Sequence, residues 1–299
     1  MTEPTIRPAT AADVPAILAL VDACTGDGLD ADGVAADLGR PALDLARDTL
    51  LGHDPSGALV AWGWVHLGRR ARVDVHPDHR GRGLGTRLLG FTEARARELG
   101  SQRLGQNVPD ANHAAAALLR GHGYEPLATS WLLEIATAAE PVPPDQPPGG
   151  VAIRPFRPGD GPAVHRLIGD AFGEWQKRPR PYDEWARLTV ERPTFAPAVS
   201  PLAFHGDDLV GAVLSLDVPR AGDGYVDEVA VRADHRSRGI ARVLLRHAFH
   251  AFHEHGRRTC VLWTHSDTEA LAFYQRLGMT VRDTSTHYSR ALSAAEFVR

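Results

Sequence analysis

The heptapeptide HRGRGLG at residues 79–85 recurs as HRSRGIA at 235–241, 156 residues later. Each copy follows a short Val-rich run and precedes apolar residues at helical spacing. A chain written this way cannot be read as one continuous core, and further pairs extend the likeness. IRPATAADVPAILALVDA (6–23) answers IRPFRPGDGPAVHRLIGDAF (153–172) at an offset of 147, and NHAAAALLRGHGY (112–124) answers TEALAFYQRLGM (268–279) at an offset of 155. The halves are therefore duplicates that differ mainly by about nine residues inserted in the second before the run PLAFHGD. The length of 299 residues agrees, since single cores rarely grow past roughly 250. AAEPVPPDQPPGG at 138–150, with five prolines and two glycines, reads as a linker that joins no packed core. The expected organisation is a domain over 1–137, the linker over 138–150 and a second domain over 151–299.

Within each half the pattern runs strand, helix, helix, then strands (GALVAWGWVHL and ARVDV; DDLVGAVLSLDV and YVDEVAV). The glycine turn with its helix follows, then a strand (RLGQN; TCVLW), a helix and a last strand (SWLLEIA; STHYSRAL). Tight turns predict an antiparallel meander in mid-domain, and the later strand–helix–strand crossovers allow parallel neighbours. The expected fold class is α/β: a mixed sheet flanked by helices, twice over.

Composition narrows the function classes. Apolar residues make up 43% and charged residues 23%, as in an ordinary globular protein, with a net charge of −4. Neither half has the basic excess of a nucleic-acid binder. No stretch approaches the roughly 18 apolar residues that span a bilayer, and the N-terminus has no apolar signal core, so a cytoplasmic protein is expected. Cys24 and Cys260, the two cysteines, read as packing residues rather than a disulfide or zinc framework.

In Arg80-Gly81-Arg82-Gly83-Leu84-Gly85, residues without Cβ can turn successive N–H groups toward one point. The helix behind them adds its unpaired N–H groups and the positive end of its dipole. A pyrophosphate suits such a cradle; a tight strand-to-helix connection is the other reading of either copy alone. Thr86 breaks G-x-G-x-x-G and no G-x-x-x-x-G-K-S/T occurs, so neither the dinucleotide nor the nucleotide triphosphate loop is supported.

R-x-x-G-x-G/A after a Val-x-Val strand, with a downstream A-x-x-x-Y-x-x-x-G segment, resembles the acyl-CoA site of the GNAT superfamily of N-acetyltransferases. The likeness covers both halves. It implies acetyl-CoA as cofactor, held by Val73, Val75 and Arg80 to Gly85 in the first copy. In the second it implies Val229, Ala230 and Val231, then Arg236, Ser237, Arg238, Gly239, Ile240 and Ala241. The turn amides would hold the pyrophosphate, and a splayed strand ahead of them would let the pantetheine arm pair with backbone. The tandem architecture resembles mycothiol synthase and related two-domain acetyltransferases, with a departure: where that group's strand glutamate is expected, this chain has Tyr225.

Acetyl transfer to an amine needs a proton acceptor, a donor for the acyl oxygen and a proton for the departing thiolate. The second half offers all three. By resemblance Tyr274 falls at the general-acid position, and backbone near Val229–Val231 would polarise the acetyl carbonyl. Asp227 and Glu228, expected on opposite faces of their strand, are the candidate bases, with a solvated strand end as the other reading. His265 is a second candidate base. The first half aligns Leu119 with Tyr274, and Ala71 and Arg72 with Asp227 and Glu228, so it is expected to bind acyl-CoA without turnover or to shape the other site.

Trp175, Tyr182, Trp185 and Phe195 lie in the inserted Pro- and Arg-rich segment, where they would either stack on an acceptor or cap the core. His247, His250 and His253 stand at helical spacing without a carboxylate ligand, and no metal site is expected. The leading reading is an acetyl-CoA-dependent N-acetyltransferase of a small-molecule primary amine, by direct attack in a ternary complex. No nucleic-acid or membrane partner is expected, and a homodimer is left open. Acylation of a protein or peptide amine and a non-catalytic acyl-CoA sensor are the alternatives.

Overall fold

The computed structural model of the protein describes residues 5–26, 28–40, 42–137, 147–173, 180–218 and 222–292. Most of the Pro-rich run, 138–146, lies outside them. In chain order the first elements are β1 (Thr5–Arg7), α1 (Val14–Thr25), α2 (Gly28–Leu38), α3 (Leu45–Asp48), β2 (Thr49–His53), β3 (Leu59–His66) and β4 (Arg70–Val75). Next come α4 (Leu84–Glu98), β5 (Arg103–Pro109), α5 (His113–Gly121) and β6 (Glu125–Ala136). The second series is β7 (Val151–Pro155), α6 (Gly161–Phe172), α7 (Tyr182–Leu188), β8 (Pro201–His205), β9 (Asp208–Asp217) and β10 (Gly224–Val231). It closes with α8 (Ile240–Glu254), β11 (Thr259–His265), α9 (Leu271–Arg276) and β12 (Thr280–Ala291).

The chain forms two compact units, each a mixed α/β fold. The first comprises residues 1–131, 265–267 and 283–299; the second comprises 132–264 and 268–282. In the first unit β1 to β4 form an antiparallel meander, β5 joins β4 in parallel, and β12 pairs antiparallel with β5 from Ser285↔Pro109 to Ala291↔Arg103. In the second, β7 to β10 form the same meander, β11 joins β10 in parallel, and the end of β6 lies beside β11. Each half of the chain thus lends its last strand to the other half's sheet. STHYSRAL was expected at the end of the second half, yet it completes the first unit. The reason is physical: duplicated domains offer the same unpaired edge to the same kind of strand, so exchange loses no ladder hydrogen bonds.

Apolar spacing explains the layers. On α1, Ile17, Leu20 and Val21 pack on Leu51 of β2 and Trp62 and Trp64 of β3. On α6, Val164, Leu167 and Ile168 pack on Leu202, Ala212, Leu214 and Ala230. Helix α8 turns Ile240, Leu244, Ala248 and Phe252 inward, a stripe with a repeat of four residues. A Cβ at Gly224 would lie 2.5 Å from Cγ of Phe252, so this strand start accepts only glycine beneath the ring. The two halves also repeat one ion pair. Arg7 forks onto Asp13 and Arg154 onto Asp160, tying each first strand to the start of its first helix; each guanidinium holds its aspartate below the usual carboxylate range. Cys260 is buried and Cys24 half-buried, both as free thiols.

Tyr288 of β12 is buried in the first unit among Leu89, Val108, Ala116, Leu119 and Tyr124, and Arg290 donates to Glu93 of α4 at 2.8 Å. Tyr288→Ala should therefore cost about 3 kcal/mol or more. In hydrogen exchange, protection should fall in α4, β5 and α5, far away in sequence; loss confined to β10 and β11 would contradict the strand assignment.

Candidate active site

Two strand–turn–helix cradles share one backbone shape. Arg80 and Arg236 are extended, at φ/ψ of −66/160° and −66/162°. Gly83 and Gly239 are left-handed, at 81/−6° and 84/−1°, and each opens a 15-residue helix. Between them Gly81 has φ 73° and Ser237 has φ 61°. A serine there costs on the order of 1 kcal/mol, so the second copy keeps the turn where it no longer keeps the glycine. Neither helix has a side-chain cap, and the first amides bonding back to the glycine carbonyls are those of Arg87 and Val243. The amides of residues 84–86, and of 240 and 241, therefore remain the unpaired donors of a helix start, where the dipole favours an anion. Arg80 Nε reaches back to the carbonyl of Val75 at 3.3 Å, and Arg236 Nε to that of Val231 at 3.2 Å. A Cβ built at Gly83 or Gly239 would meet no atom within 4 Å, so space opens directly before the donors.

The strands leading into both cradles splay. Strands β10 and β11 pair only from Gly224↔Cys260 to Val226↔Leu262, although β10 runs on to Val231 and β11 to His265. Strands β4 and β5 pair only at Arg70↔Gly105 and Ala71↔Gln106, although β4 runs on to Val75. Val73 and Val75, and likewise Val229, Ala230 and Val231, stay bonded to the meander on one edge and turn the other toward the opening. A row of peptide groups leading to an anion cradle suits an extended amide-bearing arm ending in phosphates. These residues fit the CoA moiety of acetyl-CoA.

The halves part company in their side chains. In β10 the register slips between Val226 and Glu228, leaving Asp227 as an extra residue, a β-bulge. The plain alternation that would send Asp227 and Glu228 to opposite faces is interrupted at that point. Glu228 lies two residues from Ala230, which packs beneath α6 and α7 with Trp185. Burial pushes the Glu228 carboxyl up to about 7; the neighbouring Asp227 charge adds to this, and Arg180 and the Trp185 indole N–H oppose it. Tyr274, on α9 after β11, is 9% exposed, and burial pushes its phenol up to about 12.

In the first unit β4 pairs with β3 without a bulge from Ala61↔Val75 to His66↔Arg70. Arg72, the counterpart of Glu228, donates to Asp74 Oδ2 at 2.6 Å, and the Trp62 indole donates to the same oxygen at 2.8 Å. Leu119, the counterpart of Tyr274, is a core residue.

Other sequence candidates fall differently. Trp185 is 2% exposed, so its ring has no face to stack on a substrate: α7 turns it inward as part of the core. Tyr182 and Phe195 are half-buried around it, and Trp175 lies outside the described residues. His265 belongs to the first unit, with Nδ1 3.9 Å from Asp267. His250 sits 3.5 Å from Glu254 and His253 3.3 Å from the Thr137 hydroxyl; among the described residues no cluster of His, Cys, Asp and Glu could hold a metal ion. No helix among them is long and apolar enough to cross a membrane.

A splayed strand leading to an anion cradle at a helix start suits an acyl-CoA donor. The comparisons agree: the Acetyltransferase (GNAT) family profile matches residues 40–124 and 162–279, and the chain belongs to that family. A mycothiol acetyltransferase of Frankia casuarinae is 34% identical over 266 residues, 81% of this chain and 75% of the relative. One of Nocardioides sp. is 32% identical over 85% of this chain and 92% of its own. Among solved structures, a GCN5-related N-acetyltransferase from Sphaerobacter thermophilus has a TM-score of 0.77 at 29% identity, covering 97% of this chain and 96% of its own. A tandem GNAT protein from the clavulanic acid biosynthesis pathway shares the fold, with a TM-score of 0.77 at 18% identity and coverage of 98% and 100%. The protein is an acetyl-CoA-dependent N-acetyltransferase with two GNAT domains.

The raised Glu228 carboxyl has a consequence for stability. Its folded value of about 7 lies above the ordinary 4.5, so ionisation in the fold is a cost, absent below about 4.5 and complete above about 7. Glu228→Gln should raise Tm by several degrees at pH 8 and leave it nearly unchanged at pH 4.5; equal effects at both values would show that the carboxyl is not held this way.

Proposed function

We propose that the second unit carries the chemistry and acetylates the primary amine of a small molecule by direct attack in a ternary complex. The observation that carries this reading is Glu228, a carboxyl raised to about 7 on the arm of the splay that leads into the cradle of Arg236 to Ala241. A base with that value is about half ionised at neutral pH and basic enough to take a proton from an ammonium group, directly or through water. Acetyl-CoA, held by Val229 to Val231 and the cradle, supplies the activated acyl group. The free edge of β10 offers N–H donors to a polarised carbonyl. Tyr274 stays protonated throughout the physiological range and can donate its proton to a thiolate. Asp227 supports the base through its charge.

For the first unit we infer acyl-CoA binding without turnover. Its cradle and splay match those of the second, but Arg72 stands where the base would be and is tied with Trp62 to Asp74, and Leu119 replaces the acid. The small-molecule acceptor is supported by the relatives, whose name refers to mycothiol. Tyr225 marks a departure, so the deacetylated form of mycothiol is the first acceptor to assay, beside other small amines and peptide N-termini.

Glu228→Gln should lower kcat by about 10²- to 10⁴-fold and remove the acidic limb of the pH profile, which in the wild type rises with pH through about 7. Tyr274→Phe should lower kcat with little change in the KM for acetyl-CoA. If both variants keep wild-type turnover, the second unit is not the enzyme; if peptide N-termini outpace every small amine, the acceptor class is wrong.

A further inference from the structure

The Trp185 indole N–H lies near enough to lower the Glu228 carboxyl, yet the contact falls short of a well-formed hydrogen bond. Both Trp185 Nε1 and Glu228 Oε2 are buried, and among the described residues neither has a hydrogen-bond partner. One is a donor without an acceptor; the other is an acceptor without a donor. They lie on facing elements, since Trp185 belongs to the apolar cluster that includes Ala230, the next residue but one along β10. Buried polar groups without a partner call for an explanation, and a catalytic role is one of the recognised ones. Trp185 is also held firmly. Its ring lies 5.2 Å from that of His165 and 6.0 Å from that of Tyr182, and the His165 and Tyr182 rings stand 5.6 Å apart. His165 Nε2 is 2.8 Å from the carbonyl of Arg180, so α6, α7 and the residues entering α7 share one aromatic clamp.

We propose that Trp185 is a positioning residue: its indole N–H closes onto Glu228 Oε2 when the carboxyl is ionised, aiming the carboxylate and setting the pH at which it becomes a base. This rests on the reading of Glu228 as the proton acceptor. It also gives the inserted segment a task other than stacking on substrate, for the insertion delivers a buried donor to the strand below. The charges acting on Glu228 are Asp227 on its own strand and Arg180 ahead of α7. Strand β9 sets the apolar Leu214 opposite it, and His165 of α6 touches Trp185. An N–H donor favours the ionised form, so removing it moves the titration of Glu228 upward.

The test compares wild type, Trp185→Phe and Glu228→Gln by ¹³C titration of the Glu228 carboxyl, assigned by its loss in Glu228→Gln, and by the pH profile of kcat/KM. Trp185→Phe should move the Glu228 midpoint and the acidic limb up together by about 0.5–1 pH unit, with the KM for acetyl-CoA unchanged. If Trp185→Phe does not fold, benzothienylalanine at 185 keeps the ring shape and replaces only the N–H. A Glu228 midpoint that stays at the wild-type value in the folded variant overturns the proposal. If the acidic limb survives in Glu228→Gln, the assignment of the base fails separately, and the carboxyl titration alone then decides the pairing.

Discussion

The molecule depends on a ladder that stops early. Strand β10 must stay bonded to β9 along its whole length, yet it parts from β11 after Val226. Had that parallel ladder run on, Val229 to Val231 would have spent both edges on neighbouring strands, and the turn at Arg236 would have opened onto a closed sheet. The bulge at Asp227 sits where pairing ends, and bulges bend strands and sharpen their twist. One extra residue therefore accompanies three things: an edge of free peptide groups, a broken alternation, and a glutamate under α7 instead of in water.

The duplication makes the argument comparative. Both units keep the Arg–Asp fork that docks the first strand, the extended arginine, the left-handed pair and the uncapped helix start, with dihedral angles that agree within a few degrees at the arginine and the glycine. Both units splay. What differs is electrostatic: the second unit buries a carboxyl whose indole neighbour is held back, while the first satisfies Asp74 twice over with Arg72 and Trp62.

Much of this was legible in the chain. Glycine and arginine at fixed offsets announced the cradle because only a few residue types tolerate that backbone, and apolar spacing announced α4 and α8. The duplicated text gave the order of elements. Three features were not legible, each for a physical reason. The strand exchange could not be read because equivalent edges accept either copy, so local pattern cannot say which half STHYSRAL joins. The bulge could not be read because nothing in YVDEVAV distinguishes an added residue from regular alternation. Trp185 stands among arginines and prolines, a surface composition, and only the packing of α7 on the sheet carries it inward.

The claim that one cradle serves catalysis and the other does not is tested most directly by titrating acetyl-CoA calorimetrically into wild type, Gly83→Val and Gly239→Val, and following turnover in the same samples. A Cβ at either position meets no protein atom within 4 Å, and the left-handed backbone strains a valine there, so a loss reports the turn of the cradle and not a clash in the core. The account predicts two binding events, each removed by its own substitution, with turnover lost only in Gly239→Val. Turnover lost only in Gly83→Val would contradict it and move the enzyme to the first unit.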